Sequence, residues 1–126
     1  MRPVVVNGAA WRVLRVKPGD PRLVDRTGSP RLATTDPATA TIHISSSVVP
    51  PLLDRVLLHE TAHVATISHG LLGPIHGMFA ENLWIQVEEL LAQVVELYGI
   101  EAIIAASESI GRPLCIRGFC GMAADM

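Results

Sequence analysis

The hydrophobic and polar positions of this chain follow two different periods, and the change from one to the other falls near residue 47. Before it, apolar and polar residues alternate in short runs, most clearly in Thr41–Ser45, where two isoleucines lie between polar residues. Alternation with period two predicts strands that place one face on a core. We predict one hairpin around the strong turn signal Asn7-Gly8 and a second hairpin closing at Asp36-Pro37. The strands are expected at residues 3–6, 9–16, 31–35 and 39–45.

After Pro50-Pro51 the apolar residues recur with helical spacing, and glycines punctuate the pattern. We predict helices over residues 51–68, 81–98 and 100–110, ended by Gly70, Gly99 and Gly111, with a loop over 70–80. The second helix is expected to turn an apolar stripe to the core, formed by Val87, Leu90, Leu91, Val94, Val95 and Tyr98. The predicted fold class is α+β, a small antiparallel N-terminal sheet packed on the first helix and on this second, glutamate-bearing helix.

Composition supports one folded domain over residues 1–126, with a β-rich part at 1–47, a helical part at 50–111 and a tail at 112–126. Apolar residues make up 49% and charged residues 17% of the chain, which argues against disorder. The net charge of −2 excludes a simple basic nucleic-acid-binding protein. No uninterrupted apolar run approaches the ~18 residues that span a bilayer. We therefore expect a cytoplasmic protein with no membrane partner.

Charge and histidine are unevenly distributed along the chain. Residues 1–58 carry eight Lys/Arg and four Asp, whereas residues 59–126 carry two Arg and eight Asp/Glu, and all five histidines lie between positions 43 and 76. Two cysteines, Cys115 and Cys120, are too few for a disulfide framework, and we expect reduced thiols. Trp11 and Trp84 are expected to anchor the core.

The segment His59-Glu60-Thr61-Ala62-His63 is an H-E-x-x-H motif on the first predicted helix. His59 and His63 lie one turn apart on one face, so their imidazoles can bind one Zn²⁺. Glu60 lies about 100° around the helix, where it can reach a water on the metal but not easily the metal itself. Two ligands and one base on a single helix therefore predict a catalytic zinc site.

Zinc in such a site needs a third protein ligand. His69 would complete a longer histidine motif, but a threonine stands where that motif has its glycine. The alternatives are Glu88 and Glu89 on the second helix. Glu89 is favoured because Ala92 and Gln93 follow it at three and four residues, which resembles the pattern around the ligand glutamate of gluzincins, and Gln93 can hydrogen-bond a ligand. Glu88 lies nearer the apolar stripe and stays an alternative.

Residues 7 to 100 resemble the zincin-like metallopeptidases of the ImmA/IrrE type, which include small members encoded by phages and mobile elements. The resemblance rests on His59-Glu60-x-x-His63, on Glu89 with Ala92, and on the order of sheet, motif helix and glutamate helix. It implies a minimal gluzincin in which His59, His63 and Glu89 hold zinc and Glu60 is the general base.

The expected function is a zinc-dependent metalloendopeptidase that hydrolyses peptide bonds in protein or peptide substrates. Zinc lowers the pKa of its water, and Glu60 takes the proton as this water attacks the carbonyl. The candidate donors to the resulting oxyanion are His69, His76 and Tyr98. The strand Thr41–Ser45 is expected to pair with an extended substrate.

Two alternatives remain open at this point. One is a non-catalytic, metal-containing binding module, against which the intact Glu60 argues. The other is a deformylase-like amidase, a class whose cysteine ligand precedes the motif helix, whereas Cys115 and Cys120 follow it. A regulatory protein partner is compatible with all three functions.

Overall fold

A computed structural model describes residues 1–116, and they form the mixed α+β fold that the two periods predict. The strands are β1 (Val4–Val6), β2 (Ala9–Val16), β3 (Ala33–Asp36) and β4 (Thr41–Ser45). The helices are α1 (Leu52–Ser68), α2 (Leu72–Met78), α3 (Trp84–Val94) and α4 (Ile100–Ile110). Short 3-10 turns occupy Pro21–Leu23 and Glu81–Leu83.

The four strands form one sheet in the order β1-β2-β4-β3. Both predicted hairpins are present, and Asn7 and Gly8 have φ of 50° and 76°, the two positive values that a tight hairpin turn requires. However, β2 and β4 pair in parallel, so the prediction of a wholly antiparallel sheet is wrong. The edge strand β3 runs antiparallel to both β2 and β4.

The strand β4 is buried on both faces of the sheet. On one face, α1 packs over the isoleucines of β4, in a core formed by Trp11, Val13, Ala33, Ile42, Ile44, Val48 and Val64. On the other face, the polar residues of β4, Thr41, His43 and Ser45, are also buried, beside the buried Leu23 of the Pro21–Leu23 turn, which contacts β3 and β4. The proline- and glycine-rich segment 17–30 thus covers a face whose polarity predicts exposure.

Helix α3 continues through a wider, π-type turn at Val95–Gly99 into α4, and together with the turn before α3 they form the long helix Glu81–Ile110. Gly99 was predicted to end a helix, but its φ is −61° and the helix passes through it. Gly111 does end the helix, with a φ of 72°. A glycine stops a helix only where it adopts the left-handed conformation.

By length and composition alone, the long helix would suffice to cross a membrane, with a mean hydropathy of 1.5 in its most apolar window. The prediction concerned uninterrupted apolar runs, and it did not anticipate a single helix of this length. The reason is that Gly99 does not divide the apolar pattern into two helices. Within the described residues this is the one helix with these properties, and only 11% of the window is buried.

The long helix is also rotated relative to the prediction. Its supposed core-facing stripe is largely exposed, including Leu90, Leu91, Val94 and Tyr98. The side that faces the rest of the domain instead carries Glu88 and Ala92, both buried. Carboxylates can face inward here because histidine and arginine side chains of the domain pair with them.

Two smaller predictions also change. Residues 72–78 form α2 rather than a loop, because Pro74 lies in the first turn, where a missing N–H is tolerated. Cys115 is disulfide-bonded, so the prediction of a reduced thiol is wrong at this position. Cys120 and the remaining tail residues 117–126 lie outside the described residues. Trp11 is buried in the core as predicted, whereas Trp84 is only partly buried.

Candidate metal centre

Helices α1 and α3 bring two imidazoles and one carboxylate together. His59 Nε2 lies 3.1 Å from Glu89 Oε2, and His63 Nε2 lies 3.1 Å from Glu89 Oε1. The ligand atoms of the three side chains all lie within 4.8 Å of one another. In the described residues, this is the one group of histidine, cysteine and acidic side chains with such geometry.

The donor atoms fit a tetrahedral metal. Two ligand atoms bound to zinc at ~2.0–2.1 Å with a tetrahedral angle lie about 3.4 Å apart. The observed nitrogen–oxygen distances of 3.1 Å come close to this value, each to a different oxygen of Glu89. Three protein ligands leave a fourth position open, as in catalytic zinc sites. Two imidazoles and a carboxylate also suit other divalent transition metals.

The helical period explains how α1 supplies both histidines. Val64 and Ile67 pack against the sheet, while His59 and His63 share the neighbouring face that is turned toward α3. The helices run antiparallel, because residues later in α1 meet residues earlier in the long helix. This arrangement places Glu89 opposite the gap between the two imidazoles.

Glu96 is part of the site, and the sequence reasoning missed it. Its Oε1 lies 2.9 Å from His59 Nδ1, and its Oε2 accepts a hydrogen bond of 2.8 Å from Arg55. The carboxylate thereby fixes the imidazole so that Nε2 points to Glu89. Gln93, which was predicted to hydrogen-bond a ligand, is exposed. The available signal was the spacing of Glu89 and Glu96, seven residues or two helical turns apart.

The charges of the cluster support one another. Hydrogen bonds from His59 and His63 hold the pKa of the Glu89 carboxyl well below its usual range. In return, the hydrogen bond to Glu89, with a further one to Glu96, raises the pKa of His59 against the opposing effect of burial. Glu89 therefore remains ionised, as a metal ligand must be.

Glu60 lies beside the cluster without belonging to it. The residue is 7% exposed, and its Oε2 accepts a hydrogen bond of 2.8 Å from the Thr35 hydroxyl on β3. Burial raises the pKa of Glu60, although Thr35 and the two imidazoles counteract the shift. A buried carboxyl with a raised pKa, held in one orientation, is suited to accept a proton at neutral pH.

These groups line an open cleft of about 780 Å³. Helix α1 forms its floor, and β3 and the long helix form its walls. The segment 22–31 adds three arginines to the lining, Arg22, Arg26 and Arg31. Each of them pairs with a carboxylate, respectively Asp20, Glu88 and Asp25. Asp25 has the dominant effect in raising the pKa of the Arg31 guanidinium, and the negative charges of Glu89 and Glu60 add to it.

The alternative third ligands do not belong to the group of His59, His63 and Glu89, although Glu88 lines the same cleft. Glu88 is buried and bonds Arg26 at 3.2 Å, with His76 Nε2 at 3.4 Å from its other oxygen. His69 is the exposed residue that caps α1. His76 stacks on Trp84 with ring centroids 3.9 Å apart.

The predicted oxyanion donors do not line the cleft. None of His69, His76 and Tyr98 is among the described residues that line it, and Tyr98 is 58% exposed. The arginines of the segment 22–31 occupy the wall instead. Their role could not be read from the sequence, because the segment joins the site only through its fold over the sheet.

The predicted substrate-pairing strand is also wrong. β4 lies between β2 and β3, and all five of its residues are buried, so no partner strand can be added to it. The free edge beside Glu60 belongs to β3.

Comparison with known proteins adds no identification, since neither a protein-family model nor a curated protein sequence matches this chain.

Proposed function

We propose that this protein is a zinc-dependent metallopeptidase in which His59, His63 and Glu89 hold the metal and Glu60 is the general base. One observation carries the proposal. Two imidazoles and a carboxylate converge on one point, while a second carboxylate is buried next to them and is held by Thr35 away from the ligand positions. A purely structural metal site has no use for that second carboxylate.

Zinc bound at these residues supplies Lewis acidity, which polarises a substrate carbonyl and lowers the pKa of water. Glu60 takes a proton from the water that attacks the peptide carbonyl and then gives it to the leaving amine. The Thr35 hydroxyl orients Glu60 during both transfers. Glu96 keeps the Nε2 of His59 directed to the metal through the bond at Nδ1.

The edge of β3 is the place where an extended substrate would add a strand. Ser45 N donates to Leu32 O, so with the antiparallel register the backbone groups of Ala33 and Thr35 point away from β4. Thr35 also holds Glu60, so a peptide on this edge runs directly past the general base. Backbone pairing of this kind selects extended, unfolded segments of protein rather than folded domains.

Arg31 is the group we assign to the oxyanion. It lines the cleft, its Nε is fixed by Asp25 at 2.6 Å, and its charge interacts with Glu89 and Glu60. A guanidinium has five donors, so one bond to Asp25 leaves others for the substrate.

The decisive experiment combines metal analysis with hydrolysis of an unfolded protein substrate. Wild-type protein is expected to bind one zinc per chain and to cleave the substrate. Glu60→Gln should bind the same amount of zinc and lose about 10²–10⁴-fold in rate, because only the proton acceptor is removed. Glu81→Gln, at an exposed glutamate outside the cleft, is the matched control.

Cleavage retained in Glu60→Gln would remove Glu60 from the mechanism. Zinc binding by the wild type without any cleavage would favour a non-catalytic metal-containing module.

A further inference from the structure

The long helix has an exposed apolar face on the side away from the metal centre. We define this face by Leu90, Leu91, Val94, Leu97 and Tyr98, whose exposed fractions lie between 43% and 58%. Glu89 and Glu96, which point to the histidines, occupy the opposite side of the same helix. We expect an apolar face on the outward side of a helix to be covered by another surface.

The apolar face is symmetric along the chain. Val94 lies at its centre, Leu91 and Leu97 are three residues away on either side, and Leu90 and Tyr98 are four residues away. In an antiparallel pair of two such helices, Val94 meets Val94, Leu91 meets Leu97, and Leu90 meets Tyr98. A patch that complements its own copy in this way is what a two-fold interface requires.

We propose that the apolar face binds a second copy of this chain, forming a two-fold symmetric dimer around Val94. The two metal centres then lie on the outer sides of the helix pair, and both clefts remain open. The dimer does not depend on the function proposed above.

The exposed area agrees with this occupant. Single exposed apolar residues are common, but contiguous apolar patches above a few hundred Å² are rare on monomers. The same helix also exposes Leu83, Val95, Ile100 and Ile110. The five neighbouring side chains of the apolar face, each more than two-fifths exposed, form the kind of patch that association with a partner covers.

The charges of the long helix are compatible with pairing to itself. The helix has glutamates at 81, 88, 89, 96, 101 and 108 and no lysine or arginine. In the register centred on Val94, no glutamate lies opposite another, and Glu101, which is exposed, lies outside the apolar face. A lipid bilayer, in contrast, would have to bury Glu101 in hydrocarbon.

Sedimentation velocity over a wide range of protein concentration tests the dimer. Wild-type protein is expected to be dimeric, and Val94→Glu should raise the dimer dissociation constant at least about thirtyfold, because it places two carboxylates against each other on the axis. The matched control is Val49→Glu, at a valine that is 62% exposed and lies outside the long helix. It should remain dimeric.

Cysteine cross-linking tests the register in chains that still fold. With wild-type protein as the background, Val94→Cys should form an intermolecular disulfide under mild oxidation, whereas Leu90→Cys alone should not. Combining Leu90→Cys with Tyr98→Cys should restore cross-linking.

Three results would overturn the proposal. They are a monomer at every concentration, a dimer that survives Val94→Glu as well as it survives Val49→Glu, and flotation of the wild type with lipid vesicles in place of dimer formation.

Discussion

The three glutamates of the long helix that face the domain have different surroundings, and these decide their roles. Glu89 meets both imidazoles, Glu96 meets the back of one of them and Arg55, and Glu88 meets Arg26 and His76. In the proposed metal site, a carboxylate in direct reach of both Nε2 atoms would serve as a ligand, whereas one at Nδ1 would only orient the ring.

Zinc affinity should therefore fall in a graded series. Glu89→Ala removes a ligand and should have the largest effect, and Glu96→Gln should weaken binding about 10–100-fold because the imidazole loses its anionic partner. Glu88→Gln keeps the shape of the side chain and should change the affinity least. Competition against a chromophoric chelator measures all three, and a larger loss in Glu88→Gln than in Glu89→Ala would refute the assignment of the third ligand.

At the scale of residues, the sequence predicts those site residues whose relative positions are set by their spacing on a single helix. His59, Glu60 and His63 carry their geometry within one turn, so the motif defines them without any knowledge of the fold. Glu96, Thr35 and Arg31 acquire their positions only when separate elements pack together. The choice of Glu89 over Glu88 depended on a resemblance, and the structure brings Glu89 to the histidines.

At the scale of elements, the long helix shows why a glycine is an ambiguous signal. Gly99 has a helical φ of −61°, and a Cβ added there would meet only Val95 Cγ1, at 3.8 Å. Gly111 has a φ of 72° and does end the helix. Both positions look alike in the sequence, because the torsion angle depends on whether the helix continues.

This difference predicts opposite effects of one substitution. Gly99→Ala should raise the free energy of unfolding by about 0.5–1 kcal/mol, because alanine loses less backbone entropy in a helix. Gly111→Ala should lower it by about 1 kcal/mol, since a side chain is strained in the left-handed region. Urea denaturation followed by circular dichroism measures both, and destabilisation by Gly99→Ala would contradict the continuous helix.

The strands were predicted well and their arrangement was not. The Asn7-Gly8 turn and the alternation in β4 are local signals, and both hairpins form. The parallel pairing of β2 with β4 depends on the path of residues 17–32 over the sheet, for which the sequence holds no periodic signal. The apolar stripe of the long helix was wrongly predicted to face the core for a similar reason. Periodicity shows which residues share one face of a helix, but not which surface covers that face.

At the scale of the whole molecule, stability should depend on pH through His43. The residue is 5% exposed, and its Nδ1 is buried without a hydrogen-bond partner in the described part of the chain. Burial, with a contribution from the nearby Arg22, lowers the pKa of His43. The unfolded chain consequently binds a proton at a higher pH than the folded chain does.

The sign follows from this difference. The stability contributed by neutral His43 is fully present above the unfolded pKa of about 6.5 and is lost as the pH falls through the lower pKa of the folded state. Urea unfolding of wild type and His43→Leu at several pH values between neutrality and mild acid measures the effect. The wild type should lose more stability than the variant on acidification, and parallel losses would show that His43 takes no part.

The residues proposed to bind zinc are close together in the chain as well as in space. His59, His63 and Glu89 span 31 positions, and no strand of the described sheet contributes a ligand. Closing the loop from His63 to Glu89 costs about as much entropy as pairing Arg12 with Thr41 in the β2–β4 ladder, but a single metal ion can close it without any strand register. Zinc present at the start of refolding would therefore tether α1 to α3 before the strands find their register, and stopped-flow refolding should be faster with the metal than without it.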